Sequence, residues 1–578
     1  MDNRITKKAL ILSLLAGVTF GLPSVTVAQQ IAPEWSPMDD SSGPTAPADE
    51  DNGKAQKHHK RGSHGDRSGP RVEVTPYIEA QQVVFADLKN GGDVLTYSSL
   101  AAGLDASVQT QRAEAQINVR YEHVFGYNSQ VNDQDVVSGL ARGSFAVGSG
   151  LSVEAGGIAT RSKVDGRGAS PSNLVGNPDN ITQVYSVYAG PTYAGQIGDL
   201  SVNAAYRAGY TKVENRSAGA LPAGQPQQEL FDHSISQSAT ASVGMQPGAL
   251  PIGWAASVGY DREDGGLLDQ RYEGKFARVD VTVPITANIA AVGGVGYEKI
   301  TISERDALRD VATGTALRDG NGRLIADKSA PRLVAYQEDG IIWDAGVMWR
   351  PSDRTSLLAT YGHRYGSDTY TGSFSYVPNN QWAANVSVYD TVSGFGHMVN
   401  NSLANLPTQF RASRNPLSGD LGSCAFGAQG GFCFNDALQT ASAAAFRSRG
   451  VTASVSSSVG GWDTGYAIGY NQRKFITSNL GAQAIINGQK DENYFAAAYL
   501  GHALDQQSRI DTNVYANLFD PGFTGAPDVL ALGVNAAYYR QIFRGLSATA
   551  AVGVDSYKQK DFDSSLTGSA LLGLRYSF

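Results

Sequence analysis

Ionisable residues fall on the polar positions of an alternating pattern: Glu114, Arg120 and Glu122 in one stretch, then Arg142, Arg207, Asp280, Asp344, Arg364, Asp463 and Asp511 in others. Asp105, Glu154, Asp261, Arg278, Arg473 and Arg575 belong to the same pattern. Acids and bases are mixed. A surface built to hold a polyanion needs a surplus of Arg and Lys, so this set suits neutral or weakly charged cargo, or ion pairs that staple one wall to another. Hydrolysis needs a nucleophile, a base and an orienting acid that converge on one point. His123, His233, His363, His397 and His502 each stand alone, with no nucleophile motif beside them. The GGVGYE stretch at Gly293 has its glycines on a strand with no helix behind it, so it is no dinucleotide loop. An enzyme is not expected, and no cofactor is implied.

The elements that must position these residues are strands. From Val72 onward the dominant signal has a period of two. Between Arg112 and His123, Ala113, Ala115, Ile117, Val119 and Tyr121 alternate with Glu114, Gln116, Asn118, Arg120 and Glu122, so one face is apolar and the other polar. Leu200–Tyr210, Ala239–Met245, Trp254–Tyr260, Ala277–Val283, Ile510–Leu518 and Leu546–Val554 repeat it. Soluble sandwiches alternate too, and length separates the two cases. These strands run about 10 to 14 residues, against about 5 or 6 in soluble sheets and about 9 to 11 for a tilted membrane strand. Aromatic pairs such as Trp254 and Tyr260, or Trp343 and Trp349, sit at strand ends, where girdles meet the interfaces.

Connections give a second test. Tight turns are expected near 148–150, 197–199, 247–248, 286–288, 351–354, 504–507 and 543–545, with longer polar segments at 164–181, 214–233, 303–338 and 476–491 between them. The fold class is therefore all-β: a closed antiparallel transmembrane barrel of about 22 strands (18 to 24), with short periplasmic turns and long extracellular loops. Counting Gln381–Asp390 as a strand after a turn at 378–380 keeps the parity even. That parity puts the long interruption Thr391–Arg447 outside the cell or folded into the lumen.

The first 28 residues read as a secretory signal peptide, with Arg4, Lys7 and Lys8 before an apolar run from Ala9 to Leu22 and a small-residue exit at Val27-Ala28-Gln29. Residues 29–71 are too polar to bury a core and read as a disordered periplasmic segment. His58, His59 and His64 lie in it without a fixed geometry for metal, and the segment is too short and polar to be the globular plug of a receptor transporter. The barrel then occupies 72–578, in the outer membrane of a Gram-negative bacterium. A net charge of -8 with no concentrated basic face argues against nucleic acid. In an oxidising compartment, Cys424 and Cys433 in SCAFGAQGGFCF point to a disulfide that fixes a loop tip, because neither CxxC spacing nor a histidine pair accompanies them. The alanine-rich stretch Asp436–Arg449 suggests a short helix, lying in the lumen or packed on its own loop.

The stretch DAGVMWRPSDRTSLLATYGHRYGSDTYTGSFSYVP, from Asp344 to Pro378, resembles the signature hairpins of an uncharacterised outer-membrane barrel family that accompanies exosortase (PEP-CTERM) and exopolysaccharide gene clusters. The turn at Pro351–Leu357 and the Arg-Tyr-Gly at Arg364–Gly366 with Tyr370 carry the match. The resemblance implies a channel or export porin tied to exopolysaccharide or envelope biogenesis, with polysaccharide export components among its partners, and it carries over no functional residue. A structural or adhesive barrel closed by its own loop is the alternative. A plugged receptor transporter and a barrel hydrolase are less favoured.

In the last strand, Leu566, Gly568, Ala570, Leu572, Leu574, Tyr576 and Phe578 face one way. This pattern, ending in Tyr576 and Phe578, resembles the signal read by the barrel-assembly machinery. The strand is expected to pair with the first strand near Val72–Asp87, its apolar face meeting outer-membrane lipid and lipopolysaccharide.

Overall fold

The computed structural model describes residues 71–89, 94–127, 131, 133–163, 181–214, 231–248, 250–320, 322–379, 381–427, 430–438, 441–523, 526–559 and 564–578. The expected signal peptide, the 29–70 segment with its three histidines, and most of the loops expected at 164–181 and 214–233 lie outside them.

Alternating residues prefer the pleated backbone because it sends successive side chains to opposite faces. The chain uses that preference from Arg71 to Ser577. The first strands are β1 (Arg71–Asp87), β2 (Val94–Gln109), β3 (Ala113–Gly126), β4 (Gln134–Gly148) and β5 (Leu151–Lys163). Next come β6 (Ile181–Ile197), β7 (Leu200–Glu214), β8 (His233–Met245), β9 (Gly253–Gly265) and β10 (Arg271–Pro284). They continue as β11 (Ile289–Glu304), β12 (Leu333–Ser352), β13 (Thr355–Arg364), β14 (Ser367–Asn379) and β15 (Trp382–Ser393). An insertion follows, built of α1 (Phe395–Ala404), β16 (Arg411–Arg414), β17 (Leu421–Gly427), β18 (Gly430–Cys433) and α2 (Asn435–Leu438). The wall resumes with β19 (Ala445–Val459), β20 (Trp462–Ile476), β21 (Lys490–Ala503), β22 (Ser508–Asp520), β23 (Val529–Phe543), β24 (Leu546–Gln559) and β25 (Ser565–Ser577).

Wall strands pair antiparallel with their neighbours in chain order, β15 with β19 across the insertion, in one 22-stranded sheet. β25 returns to β1 from Tyr77↔Ser577 to Asp87↔Thr567, so no edge is left. The side chains that alternate outward are apolar and bare: Leu572 is 69% and Ile341 68% exposed, with Val119, Val258, Val295 and Leu574 also exposed. So much contiguous apolar surface is stable only against lipid. The chain is thus a transmembrane barrel of the outer-membrane type, and the end carrying the short turns and Phe578 is periplasmic. Among the described residues no helix is long and apolar enough to cross a membrane.

The insertion turns inward. The described residues of 394–444 lie in the lumen, and the largest buried apolar cluster joins Phe395, Val399, Leu403 and Leu406 of the insertion to Leu140, Ile158, Val184 and Val213 of the wall. Two sequence expectations are corrected here. The helix expected over Asp436–Arg449 is limited to the four residues of α2, since from Ala445 the chain is β19, whose ladder with β15 captures it. The longer helix is α1, which the sequence reading missed. The disulfide fixes no outer loop tip: Cys424 and Cys433 are direct partners across the β17–β18 hairpin, inside the barrel against Phe426, Ala467, Phe495 and Tyr499.

Outside the membrane, the loop between β11 and β12 is held by its own carboxylates. Asp310 is kept below the usual carboxyl range by the Thr313 backbone N–H and hydroxyl, and Asp327 by the Ser329 hydroxyl and backbone N–H.

Candidate functional site: a plug and the cavity beside it

The insertion enters from the extracellular rim as α1. Its N-terminus, Gly394, offers no side-chain cap, and Glu263 of the wall supplies one: its carboxylate accepts from the backbone N–H of Gly396 (2.9 Å) and His397 (3.1 Å). One turn down, Asn400 donates to Ser236 Oγ at 3.0 Å and accepts from Ser186 Oγ at 3.0 Å. Gly209 makes this approach possible, because a Cβ there would lie 2.3 Å from the Asn400 amide. Lower still, Arg142 donates to the carbonyl of Leu406 at 2.5 Å and Thr408 to Glu114 at 2.7 Å, and Glu114 lies beside the periplasmic turn.

The chain then climbs. Arg411 pairs with Asp463, and Arg414 donates to Asn118 Oδ1 (2.9 Å) and Ser138 Oγ (2.6 Å). Near the top, Arg161 of the wall grips Asp420 with both Nε (2.6 Å) and Nη2 (2.7 Å), and also donates to the carbonyl of Ser418. β17 descends again until the Phe426 ring lies on Gly465, and the chain rises through β18 and α2 to rejoin the wall at β19.

The ten charged residues singled out from sequence point into this lumen, in four settings. Glu114, Arg142 and Asp463 hold the plug. Arg120 is buried between Glu79, Gln81 and Glu122, against the wall below Gly419. Arg207–Glu154 (2.5 Å) and Arg509–Asp511 (2.6 Å) are ties within the wall. Asp280 and Asp344 share Arg278 at 2.5 Å each, and Arg364 pairs with Glu298 at 2.9 Å, on the side the plug does not touch. Sequence reasoning missed Glu263, Arg161, Asp420 and Asp390, whose roles depend on partners far along the chain. The histidines do not converge: His123 meets Asp135 at 2.7 Å on the outer face, His502 stacks on Trp462 at 4.0 Å, and His397 is buried on α1.

Beside the plug a cavity of about 220 Å³ follows β10–β15 and β19. Its surface is mostly apolar, from residues such as Ile342, Leu358 and Phe432, with hydroxyl and amide groups of Thr360, Thr371, Asn385 and Ser454 and the charged Arg278, Asp344 and Asp390 set among them. A second cavity of about 270 Å³ opens at the periplasmic end near Trp254, Asn288 and Met348. The two share Asp280 and Thr282 as lining, so the Arg278–Asp280–Asp344 cluster lies where they approach each other.

No protein-family model and no curated protein matches the chain. Solved structures do show a likeness. The ferric-catecholate import receptor Fiu from Escherichia coli K12 is 10% identical with a TM-score of 0.44, over 88% of this chain and 82% of that one. The iron transporter FrpB from Neisseria meningitidis is 9% identical at 0.41 (87% and 81%), and BauA, the ferric preacinetobactin receptor from Acinetobacter baumannii, is 12% identical at 0.42 (88% and 81%). Such scores decide nothing about this chain, whose barrel is established by its own closed ring of strand pairs.

Proposed function

We propose that the protein is an outer-membrane conduit for small neutral, hydroxyl-rich solutes, in which residues 394–444 are a luminal gate and the cavity along β10–β15 is the pathway. The observation that carries this reading is the pair of cavities that share Asp280 and Thr282 as lining. The hydroxyls and amides of the β10–β15 cavity can exchange hydrogen bonds with a saccharide, its charged residues are held in ion pairs, and Ile342 and Leu358 offer apolar contact to ring faces. Where the two cavities approach, Arg278 holds both Asp280 and Asp344, one guanidinium against two carboxylates, so the cluster is net negative and disfavours anionic cargo. Together with the resemblance at Asp344–Pro378, this favours a role in exopolysaccharide or envelope biogenesis, with polysaccharide export components as partners.

The closed structural or adhesive barrel is the second reading, and the plug's anchoring from Glu263 near one rim to Glu114 near the other favours it. Planar-bilayer recording separates the two. A conduit gives small, sugar-blockable currents from the full chain, larger ones after deletion of 395–443, and none when Thr282→Trp fills the stretch the cavities share. A full chain that stays silent while the deletion conducts establishes the closed barrel. Equal, negligible currents from both sink the channel reading. Loss of the gene is expected to deplete surface polysaccharide, and unchanged polysaccharide removes that link.

A further inference from the structure

The wall is notched at its extracellular edge. β13 has only 10 residues, about 33 Å of extended chain or about 25 Å of height at the usual tilt, which just clears the apolar band. Its hairpin with β14 turns at Tyr365–Gly366, at the outer interface, while β12, with 20 residues, continues from Trp343 up to Leu333 with no pairing to β13. On the other side, the β14–β15 ladder ends at Gly372↔Val388, although β15 runs on to Ser393 and β14 begins at Ser367. Ladder pairing is thus missing from the upper wall between β12 and β15.

Side chains span the gap. Asp390 of β15 accepts from Nε and Nη2 of Arg447 (2.7 and 2.7 Å) and from Nε of Arg449 (2.9 Å). The same guanidiniums reach over to β14, Arg447 to Ser367 Oγ at 2.6 Å and Arg449 to the carbonyl of Asp368 at 2.9 Å. Tyr365 is clamped between the guanidiniums of Arg364 (4.4 Å) and Arg447 (5.1 Å). Its φ of +55°, followed by +66° at Gly366, is the pattern of a two-residue hairpin that favours Asn-Gly, so a bulky tyrosine is held there against its backbone preference. Behind this latch lies the β10–β15 cavity, which reaches Arg364, Thr369, Asp390 and Ser393. Outside and just below it, Trp343, Tyr361 and Tyr370 are exposed on the lipid-facing wall.

We propose that the notch is a lateral portal, latched by Tyr365, Asp390, Arg447 and Arg449, that connects the cavity with the outer-leaflet surface. Its ligand class is an amphiphile with a hydroxylated head group. The tail stays in the bilayer beside the exposed aromatics and the hydroxyls meet the polar groups of the cavity, while Glu338 of β12, against Gly366, balances the second guanidinium of the latch. Access to the cavity is a separate matter from flux through it, so the proposal does not rest on the conduit reading.

The test uses the full chain in vesicles with a thiol at the cavity wall, Thr371→Cys, and two maleimides, one tethered to a lipid head group and one soluble. Opening the latch with Arg447→Ala plus Arg449→Ala, or with Tyr365→Asn, which suits the turn and so keeps the hairpin folded, is expected to speed tethered labelling about tenfold, the scale of lost charge-assisted bonds. Soluble labelling should stay within about twofold, the size of a minor side-chain effect. Lipopolysaccharide in the outer leaflet should slow the tethered reaction, and an equal fraction of phosphatidylglycerol should not. Tethered labelling that ignores both latch variants, or rises in step with soluble labelling, overturns the portal. Equal competition by the two lipids, or none, overturns the ligand class.

Discussion

Asp420 holds the plug where the structure makes a loss most legible. Arg161 is nearly enclosed, its side chain 6% exposed, and Asp420 meets it with two bonds of 2.6 and 2.7 Å. Removing one partner of such a pair strands the other charge away from water, a cost of about 3 to 5 kcal/mol, whereas removing both with apolar replacements of similar size costs little. Because about 1.4 kcal/mol is tenfold in a population, Asp420→Ala should shift the balance between docked and undocked plug by about two to three and a half orders of magnitude. Arg161→Ala should shift it in the same direction, since it leaves the Asp420 carboxylate buried and unpaired while the plug is docked and hydrated once its hairpin lifts. The double change Arg161→Leu with Asp420→Leu should restore most of the docking. The readout is the open fraction in single-channel records, with accessibility of a cysteine at Ser418 to a soluble maleimide as a second measure. Singles as quiet as the parent, or a double as open as either single, would refute the account of how the plug is held.

Further outcomes follow from other contacts. Glu263→Gln keeps the shape of the α1 cap but loses its charge, and should loosen the helix by about 0.5 to 1 kcal/mol, visible as faster hydrogen exchange over 396–404. Cys424→Ala with Cys433→Ala should destabilise the β17–β18 hairpin by at most about 2 to 3 kcal/mol and leave barrel melting unchanged, because the bridge closes a short loop inside the insertion alone. The Asp310 and Asp327 carboxyls have lowered folded-state values, so their contribution is complete above about pH 4 and fades as pH falls through those values. Exchange in the 305–332 loop should therefore rise in acid while exchange in the wall does not. Deleting Phe578, whose ring meets Tyr576 edge-on at 5.0 Å and whose N–H donates to the carbonyl of Pro76, should impair assembly by the barrel machinery, and normal insertion of the truncated chain would remove that role.

The barrel was legible before any coordinates because its rule is local. A period of two assigns each residue to lipid or lumen from its neighbours alone, as with Val119 against Arg120 or Leu574 against Arg575, and turn chemistry marks where the chain reverses. The plug was not legible in that way. α1 begins at Gly394-Phe395-Gly396, with no capping side chain, and owes its N-terminus to Glu263 on a distant strand. The alanine-rich stretch from Asp436 has helical composition, yet β20 offers a ladder to Ala445 and β15 to Phe446 and its successors, and long-range pairing outweighs propensity there. The notch is likewise a difference in length between β13 and its neighbours, which no single segment carries. Faces and turns are properties of adjacent residues and can be read in order. The contents of the lumen and the gap in its rim depend on which of many charged side chains meet across the closed ring, and only closure brings Asp420 to Arg161 and Arg447 to Ser367.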